Sequence, residues 1–258
     1  DLNICRQPTL AVVGSRKFSS YGQEVCQQIV GPLARQGLII VSGLALGIDG
    51  IAHQTALDNQ GKTIAVLGSG VDQESVYPAN NKQLARQIVD NGGLIISELP
   101  EGAAPTKYSF PTRNRIIAGL SLGALIIEAA EKSGALITAS CALDYNREVF
   151  AIPHSIFSPT GAGVNNLIKN GAILVTAHTD IAKILNIQNL SGALTKSKIP
   201  PATEQEKTIY NTLSNKPKHI DLIIKQTGLD SSIVNGTLTL MEIKGMIKNV
   251  GNMSYVFI

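Results

Sequence analysis

Short apolar runs alternate with longer amphipathic stretches from residue 9 to residue 186. Most of the short runs are apolar at every position, which is typical of strands in a sheet covered on both faces. We therefore predict seven strands, at Leu10–Val13, Leu38–Val41, Thr63–Leu67, Leu94–Ser97, Ala124–Ile127, Glu148–Ala151 and Ile173–Val175. The amphipathic stretches between them predict helices at Tyr21–Gln36, Ile48–Asn59, Lys82–Asn91, Arg115–Leu120, Leu136–Tyr145, Val164–Lys169 and Thr179–Leu185. This alternation predicts an α/β fold with a doubly wound, mostly parallel sheet.

The remainder of the chain has a different pattern. Residues 187–202 are polar and end in a Pro pair, which predicts a linker between a first domain, residues 1–186, and a second, residues 203–258. The second domain has helical periodicity in three segments, followed by two apolar segments around the turn signal Gly251-Asn252. These segments are Glu204–Leu213, Ile220–Thr227, Ser231–Ile243, Met246–Val250 and Tyr255–Ile258. Three helices and a terminal hairpin predict a small winged helix.

The composition excludes several classes of protein. Apolar residues make up 44% of the chain and charged residues only 16%, which favours a buried core over disorder. Aromatic residues make up 4%, with no Trp, so wide stacking platforms are excluded as the main binding device. No stretch approaches the ~18 uninterrupted apolar residues of a membrane helix, and the first residues lack a signal-peptide pattern. Three scattered cysteines and four scattered histidines favour a reduced, cytoplasmic protein without a metal site.

Net charge does not by itself indicate a nucleic-acid binder. Residues 1–190 carry fourteen basic and fourteen acidic side chains, so the net charge of +3 lies entirely in the remaining tail. A nucleic-acid site therefore has to be argued from the local placement of cations.

Two segments that follow predicted strands have the character of phosphate-binding loops. The first strand leads into Gly14, Ser15, Arg16 and Lys17, where a glycine permits close backbone approach and the next side chains offer donors to an anion. The alternative is an ordinary tight turn followed by a solvated basic pair. The second strand leads into residues 42–53, whose three glycines let several amides approach one phosphate, although their spacing is not that of the dinucleotide fingerprint.

A third segment, residues 107–115, is the most informative, with the sequence K-Y-S-F-P-T-R-N-R. Between Gly102 and Ser121 there are three basic side chains and no acid, and aromatic residues are interleaved with them. Cations neutralise backbone phosphates, and Tyr108 or Phe110 can stack on an unpaired base, at ~1–3 kcal/mol per base. The alternative is a solvated loop with one buried Phe.

The acidic residues and histidines near these segments do not form a catalytic pair. We interpret Asp49 as a helix cap and His53 as a half-buried histidine with its hydrogen bonds satisfied. Glu128 and Glu131 are interpreted as charges at a helix start, because nothing near them in sequence marks an acid–base couple.

Taken together, these motifs resemble the DprA (Smf) family. The resemblance covers about residues 9–186 and rests on G-S-R, S-G-x-A-x-G-I-D-x-x-A-H, F-P-x-R-N-R-I-I-A-G-L-S and S-G-A-L-I-T-A, in that order. It implies an extended Rossmann-like fold with a basic pocket for single-stranded DNA. It further implies a homodimer that protects incoming DNA and loads the RecA recombinase in natural transformation or recombination, without catalysing a reaction and without a cofactor.

Carried over by matching position, the resemblance implies a DNA-binding pocket built from three loops. Arg16, Lys107 and Arg115 would neutralise phosphates, while Ser15 and the Gly43 amide would position one. Phe110 would stack against a base, and Asn114 would orient the neighbouring loops. The predicted DNA-binding residues are Gly14, Ser15, Arg16, Lys17, Ser42, Gly43, Lys107, Phe110, Arg113, Asn114 and Arg115.

Two other functions remain as alternatives. One is a nucleotide hydrolase of the phosphoribohydrolase-like Rossmann superfamily, but its P-G-G-x-G-T-x-x-E loop is absent here and Ala129 to Gly134 stand in its place. The other is a duplex-binding regulator that acts through the winged helix. Residues 203–258 carry six Lys, five acids and no Arg, so we expect this tail to contact protein or to bind duplex DNA weakly.

Overall fold

The chain is described by a computed structural model that covers residues 2–187, 203–213, 217–244 and 246–257. It divides into two compact units, Asp1–Leu194 and Thr195–Ile258. The first unit contains a parallel sheet in the order β4-β3-β2-β1-β5-β6-β7. Its strands are β1 (Thr9–Val13), β2 (Ile39–Ser42), β3 (Thr63–Val66), β4 (Leu94–Ile96), β5 (Gly123–Ile126), β6 (Glu148–Ala151) and β7 (Ile173–Leu174).

Helices connect these strands. They are α1 (Ser20–Arg35), α2 (Ile48–Asp58), α3 (Lys82–Asp90), α4 (Ser109–Leu120), α5 (Ala135–Asp144), α6 (Ala162–Lys169) and α7 (His178–Ile184). Short 3-10 helices lie at Leu2–Arg6 and Ala79–Asn81.

The sheet is covered on both faces, as the continuous apolar runs predict. Every residue of β1, β2, β3 and β5 is buried. One core cluster packs β1 residues such as Leu10 against α1, α2 and α7, and the other packs Ala11 and its neighbours against α4, α5 and α6. The predicted doubly wound, mostly parallel Rossmann-like fold is therefore confirmed.

The largest difference from the sequence-based elements lies at α4. The prediction started this helix at Arg115, but it begins at Ser109 and therefore contains Pro111. Proline is tolerated there because the first-turn amides of a helix have no intrahelical partner. Thr106 and Ser109 also exchange hydrogen bonds just before the helix: Thr106 N donates to Ser109 Oγ (3.0 Å) and Ser109 N donates to Thr106 Oγ1 (3.0 Å).

The second unit contains the three predicted helices, α8 (Glu204–Thr212), α9 (Ile220–Thr227) and α10 (Ser231–Ile243). Its antiparallel sheet has the order β8-β10-β9, with β9 (Ile247–Asn249) and β10 (Ser254–Phe257) as the predicted hairpin. Strand β8 (Lys218–His219) was not predicted. Helices and sheet enclose a core of their own, and the winged-helix prediction is confirmed.

The predicted linker lies outside the described residues except for Ile187. That residue is fully buried in the core of the first unit. Among the described helices, none has the length and apolarity to cross a membrane.

Candidate nucleic-acid interface

The candidate site lies at the edge of the sheet where its parallel strands end. Strand β1 is flanked by β2 and β5, since Ala11 pairs with Val41 on one side and with Ala124 on the other. The chain therefore reverses its direction of winding at β1, and in such folds ligands bind beside the strand ends at this point. We call this margin the carboxyl edge.

A cavity of about 610 Å³ opens at the carboxyl edge, and we call it the edge cavity. Its walls come from segments that follow β1, β2, β3, β4 and β5. It is lined by Val13, Gly14, Arg16, Ala45, Asp49, Tyr77, Pro105, Thr106, Lys107, Phe110, Pro111, Arg113, Asn114, Gly134, Ala135, Ile137 and Thr138. Six of the predicted residues thus surround one cavity, namely Gly14, Arg16, Lys107, Phe110, Arg113 and Asn114.

Cations and aromatic rings meet at the mouth of the edge cavity. The Arg16 guanidinium carbon lies 5.2 Å from the centre of the Phe110 ring, which is a cation–π contact. Tyr77 packs against the same ring, with 5.8 Å between ring centres, and it remains 47% exposed. Lys107 is exposed, and its Nζ lies 5.0 Å from the centre of the Tyr108 ring. Exposed positive charge beside an accessible aromatic face suits an unpaired nucleotide chain.

A buried arginine and a buried aspartic acid lie beneath this mouth. Arg113 is 6% exposed, and its Nη1 donates to Gly43 O (2.7 Å) and to Val66 O. Burial lowers the pKa of Arg113 to about 10, with Asp49 opposing the shift and Arg16 adding to it, so the guanidinium stays charged at neutral pH. Burial raises the pKa of Asp49, against the charge of Arg113 and backbone hydrogen bonds. Arg113 therefore ties the ends of β2 and β3 to α4.

The Gly43 amide was predicted to position a phosphate, and Ser42 was predicted as a further DNA-binding residue, but the structure gives both groups partners within the chain. The Gly43 amide donates to Asp49 Oδ2 (3.1 Å), so it is not available to a phosphate. A Cβ at Gly43 would overlap the Arg113 guanidinium, which explains the glycine. The Ser42 side chain is fully buried, and its Oγ donates to Val12 O (2.6 Å). Both residues support the floor of the edge cavity from below.

Ser15, Lys17 and Arg115 do not line the edge cavity. Ser15 Oγ donates to Lys17 O (2.8 Å) and accepts from Lys17 N (3.1 Å), which shapes the loop after β1. Arg115 lies instead in a separate depression with Tyr145 and Arg147, where it forms an ion pair with Glu98 (2.5 Å). The expectation that Arg16 and Arg115 share one notch is therefore corrected.

Asn114 links α4 to the segment that precedes α5. Its Nδ2 donates to Gly134 O (3.2 Å), while its Oδ1 accepts from Arg113 Nε (3.2 Å). Sequence reasoning missed Tyr77, because it considered no residue after β3. The signal was present, since the carboxyl end of every parallel strand lies at the same edge of the sheet.

His53 is a buried structural residue. Its exposure is 0%, so it is more deeply enclosed than the half-buried side chain expected. Thr63 Oγ1 donates its single proton to Ile40 O (2.6 Å), so His53 Nδ1, 2.6 Å away, must donate to Thr63 Oγ1. His53 Nε2 has no hydrogen-bond partner among the described residues, so the expectation of satisfied hydrogen bonds is also corrected. Burial, followed by the charge of Arg113, lowers its pKa to about 3, so the ring is neutral.

Glu128 occupies the amino terminus of α1, the position at which Rossmann folds bind pyrophosphate. Its side chain is fully buried, and Oε2 accepts from Ser19 N (3.1 Å) and Ser19 Oγ (3.2 Å). Ser19 is the N-cap of α1, and Gly22 leaves the space for the carboxylate. The carboxyl group expected at a helix start is therefore found at the start of α1, and not at the helix that follows Glu128 in sequence.

Fold and site together define a class: a doubly wound parallel-sheet protein with a cationic, aromatic cavity at its carboxyl edge. No cluster of three or more potential metal ligands occurs among the described residues. The chain belongs to the family of DNA recombination-mediator protein A, because the sequence model of that family matches residues 1–186. Residues 193–252 also match the DprA winged helix domain.

Similar proteins support this assignment. Protein Smf of Escherichia coli is 49% identical over 185 residues, which are 72% of this chain and 49% of that protein. The DNA processing protein DprA of Streptococcus pneumoniae is 46% identical over 181 residues, 70% of this chain and 63% of that protein. The chain therefore spans about half the length of the first relative and under two thirds of the second.

Two solved structures extend the likeness to three dimensions. DprA from Streptococcus pneumoniae has a TM-score of 0.65 at 43% identity and covers 71% of this chain and 63% of its own. DNA processing protein A from Helicobacter pylori has a TM-score of 0.66 at 32% identity, covering 73% of this chain and 85% of its own. The latter structure was described for its single-stranded DNA binding mode.

Proposed function

We propose that the chain captures single-stranded DNA in the edge cavity and does not turn it over. The observation that carries this proposal is the junction of Arg16, Phe110 and Lys107 at one cavity mouth. Arg16 and Lys107 would neutralise backbone phosphates, and Phe110 with Tyr77 would stack on a base. The single-stranded DNA binding described for the Helicobacter pylori relative supports the same substrate.

Family membership supports a wider role. We propose that the captured strand is protected and passed to the RecA recombinase during natural transformation or recombination, by a cytoplasmic homodimer that needs no cofactor. The chain matches the family of DNA recombination-mediator protein A over its first 186 residues, and this match is the support for the wider role.

The test is a salt-titrated binding assay with the full chain and fluorescent oligonucleotides. Arg16→Ala and Lys107→Ala should each weaken single-strand binding about tenfold and reduce the salt slope by ~0.7 per lost phosphate contact. Arg35→Ala and Lys62→Ala are matched controls. Arg35 ends α1, and Lys62 precedes β3, so both lie at the opposite edge of the sheet.

The outcomes separate the proposal from nonspecific attraction. Equal losses in all four variants would indicate a diffuse charge effect, and unchanged binding by Arg16→Ala and Lys107→Ala would refute the edge cavity as the site. Duplex DNA serves as a competitor, since a stacked base is available only in a single strand.

The two alternative functions have less support. Hydrolysis of a nucleotide would need an accessible acid near the strand ends, but the Glu128 side chain is fully buried, and Asp49 is 7% exposed with its Oδ2 accepting from Gly43 N. A duplex-reading winged helix normally brings cations to the groove. The only charged residue of α10 is Glu242.

A further inference from the structure

A second cavity lies beside the edge cavity and takes no part in the site described so far. It has a volume of about 450 Å³, within the ~300–1,000 Å³ typical of small-ligand sites. We call it the amide groove, because amide side chains dominate its walls. It is lined by Phe18, Gly47, Gly50, Ile51, Gln54, Asn80, Asn81, Gln83, Leu84 and Gln87, and none of these residues is ionisable.

The amide side chains converge from two packed helices. Gln83 and Gln87 lie one turn apart on the same face of α3, and Asn80 precedes that helix. Gln54 faces them from α2, where its Nε2 donates to Asp58 Oδ1 (2.8 Å), and its carbonyl oxygen accepts no hydrogen bond from any described residue. In the part of the chain that the structure describes, the side-chain amides of Asn80, Gln83 and Gln87 make no hydrogen bond. Both donors and acceptors are therefore free to meet a neutral polar ligand.

Phe18 contributes an aromatic surface to the amide groove. Its side chain is 44% exposed, and it is one of only five Phe residues in the chain. An accessible ring beside unpaired amides is the combination by which proteins bind splayed-out nucleobases. The ring stacks on the base, and the amides bond to its edge.

Three chain segments run into the amide groove, within two residues each, from a small cavity that shares Arg16, Tyr77 and Phe110 with the edge cavity. Arg16 is followed by Phe18, Leu46 by Gly47, and Pro78 by Asn80, with the first residue of each pair at that small cavity. Hydrogen bonds fix this junction. Ile48 N donates to Ser15 O (3.2 Å), and Asn81 Nδ2 donates to Leu44 O (2.9 Å) and Ala45 O (3.1 Å).

From this arrangement we infer that the amide groove is a nucleobase subsite for the strand held in the edge cavity. The strand's phosphates pair with Arg16 and Lys107, and a neighbouring base stacks on Phe18 with its edge bonded to Gln83 and Gln87. The inference rests on the proposed function, because a free base would gain nothing from the adjoining cations. A neutral groove adds base contacts without adding charge, so it contributes base preference and not salt dependence.

The first experiment is an abasic scan with the full chain. One base at a time is removed from a short single-stranded oligonucleotide, and binding is measured by fluorescence anisotropy. At one position, base removal should weaken binding to the parent about tenfold and leave binding to Phe18→Ala unchanged. Phe18→Ala should itself bind the intact strand about tenfold more weakly than the parent, with the salt slope unaltered.

The second experiment concerns base identity. Binding is compared for dA and dT homopolymers of equal length, using the double variant Gln83→Ala/Gln87→Ala. We expect the ratio of the affinities for the two homopolymers to be severalfold closer to one in the double variant than in the parent. Gln23→Ala/Gln27→Ala is the matched control, because these exposed glutamines also lie one turn apart, on α1, and line neither cavity. The control variant should keep the preference of the parent.

The outcomes distinguish the two proposals. If the parent does not bind single strands with a salt slope that Arg16→Ala reduces, the proposed function itself fails. If that binding holds but Phe18→Ala and Gln83→Ala/Gln87→Ala bind every oligonucleotide as the parent does, the subsite is refuted and the proposed function stands.

Discussion

Arg113 and Arg115 are two residues apart on α4, yet they have opposite environments. Arg113 is 6% exposed and bonded to the ends of two strands, whereas Arg115 lies on the surface with Glu98. Successive helical residues are about 100° apart, so these two side chains point in nearly opposite directions, about 160° apart around the helix axis. The sequence shows both arginines clearly. Their opposite orientations become evident only once α4 is known to begin at Ser109, because both residues then lie within the helix. A loop interpretation could not separate the structural arginine from the exposed one.

His53 predicts a measurable pH dependence of stability. Its pKa in the folded chain is about 3, against an ordinary value of 6.5, because burial disfavours the charged ring. Protonation below pH 6.5 therefore favours the unfolded chain, and stability that is present above this pH is lost as the pH falls towards 3. The loss from this residue is about 1.4 kcal/mol per pH unit.

The measurement is urea unfolding at pH 6.5 and pH 5, followed by circular dichroism. His53→Asn keeps a donor for Thr63 but removes the titration, so the parent should lose about 2 kcal/mol more than the variant between the two pH values. Parallel losses in parent and variant would mean that water reaches the ring and that the burial argument is wrong.

At the scale of elements, the sequence predicted the strands well because their hydrophobic runs are continuous. All seven strands of the large sheet begin and end within one residue of the prediction. The start of α4 was missed because Pro111 resembles a helix breaker, and only the exchange of hydrogen bonds between Thr106 and Ser109 marks the true beginning. The short strand β8 has two residues, too few for a period-two pattern to be visible.

The register of α4 gives a prediction about Arg115. Phe110, Arg113 and Asn114 share the face that meets the edge cavity, and Arg115 lies off that face beside Glu98. Arg115→Ala should therefore keep single-strand affinity within about twofold of the parent and leave the salt slope unchanged, because this side chain lies outside the edge cavity and its charge is paired with Glu98. Anisotropy titrations beside Arg16→Ala provide the comparison, and a loss as large as that of Arg16→Ala would contradict the assigned geometry.

At the scale of the whole molecule, a parallel sheet gathers distant residues at one edge. Arg16 and Lys107 are far apart in sequence, yet both line the edge cavity because β1 and β4 end on the same side of the sheet. The sequence supported this part of the site, since strand order is not needed to know that parallel strands end together. It could not place Tyr77 against Phe110, because that contact depends on the path of the long segment between β3 and α3.

The division into two units predicts that strand capture belongs to the first one. Every residue that lines the edge cavity and the amide groove lies within Asp1–Leu194. A truncated chain ending at Leu194 should therefore bind single strands with the affinity and salt slope of the full chain, measured in the same assay. A loss greater than about tenfold would assign part of the phosphate contacts to the second unit.

The position of Glu128 affects which small molecules can bind at the start of α1. A carboxylate supplied by the chain itself already satisfies the helix terminus at which many sheet proteins of this architecture hold ATP or NAD. A phosphate of ATP or NAD could enter this position only by displacing the buried Glu128 side chain, which would leave the carboxylate without its two donors on Ser19.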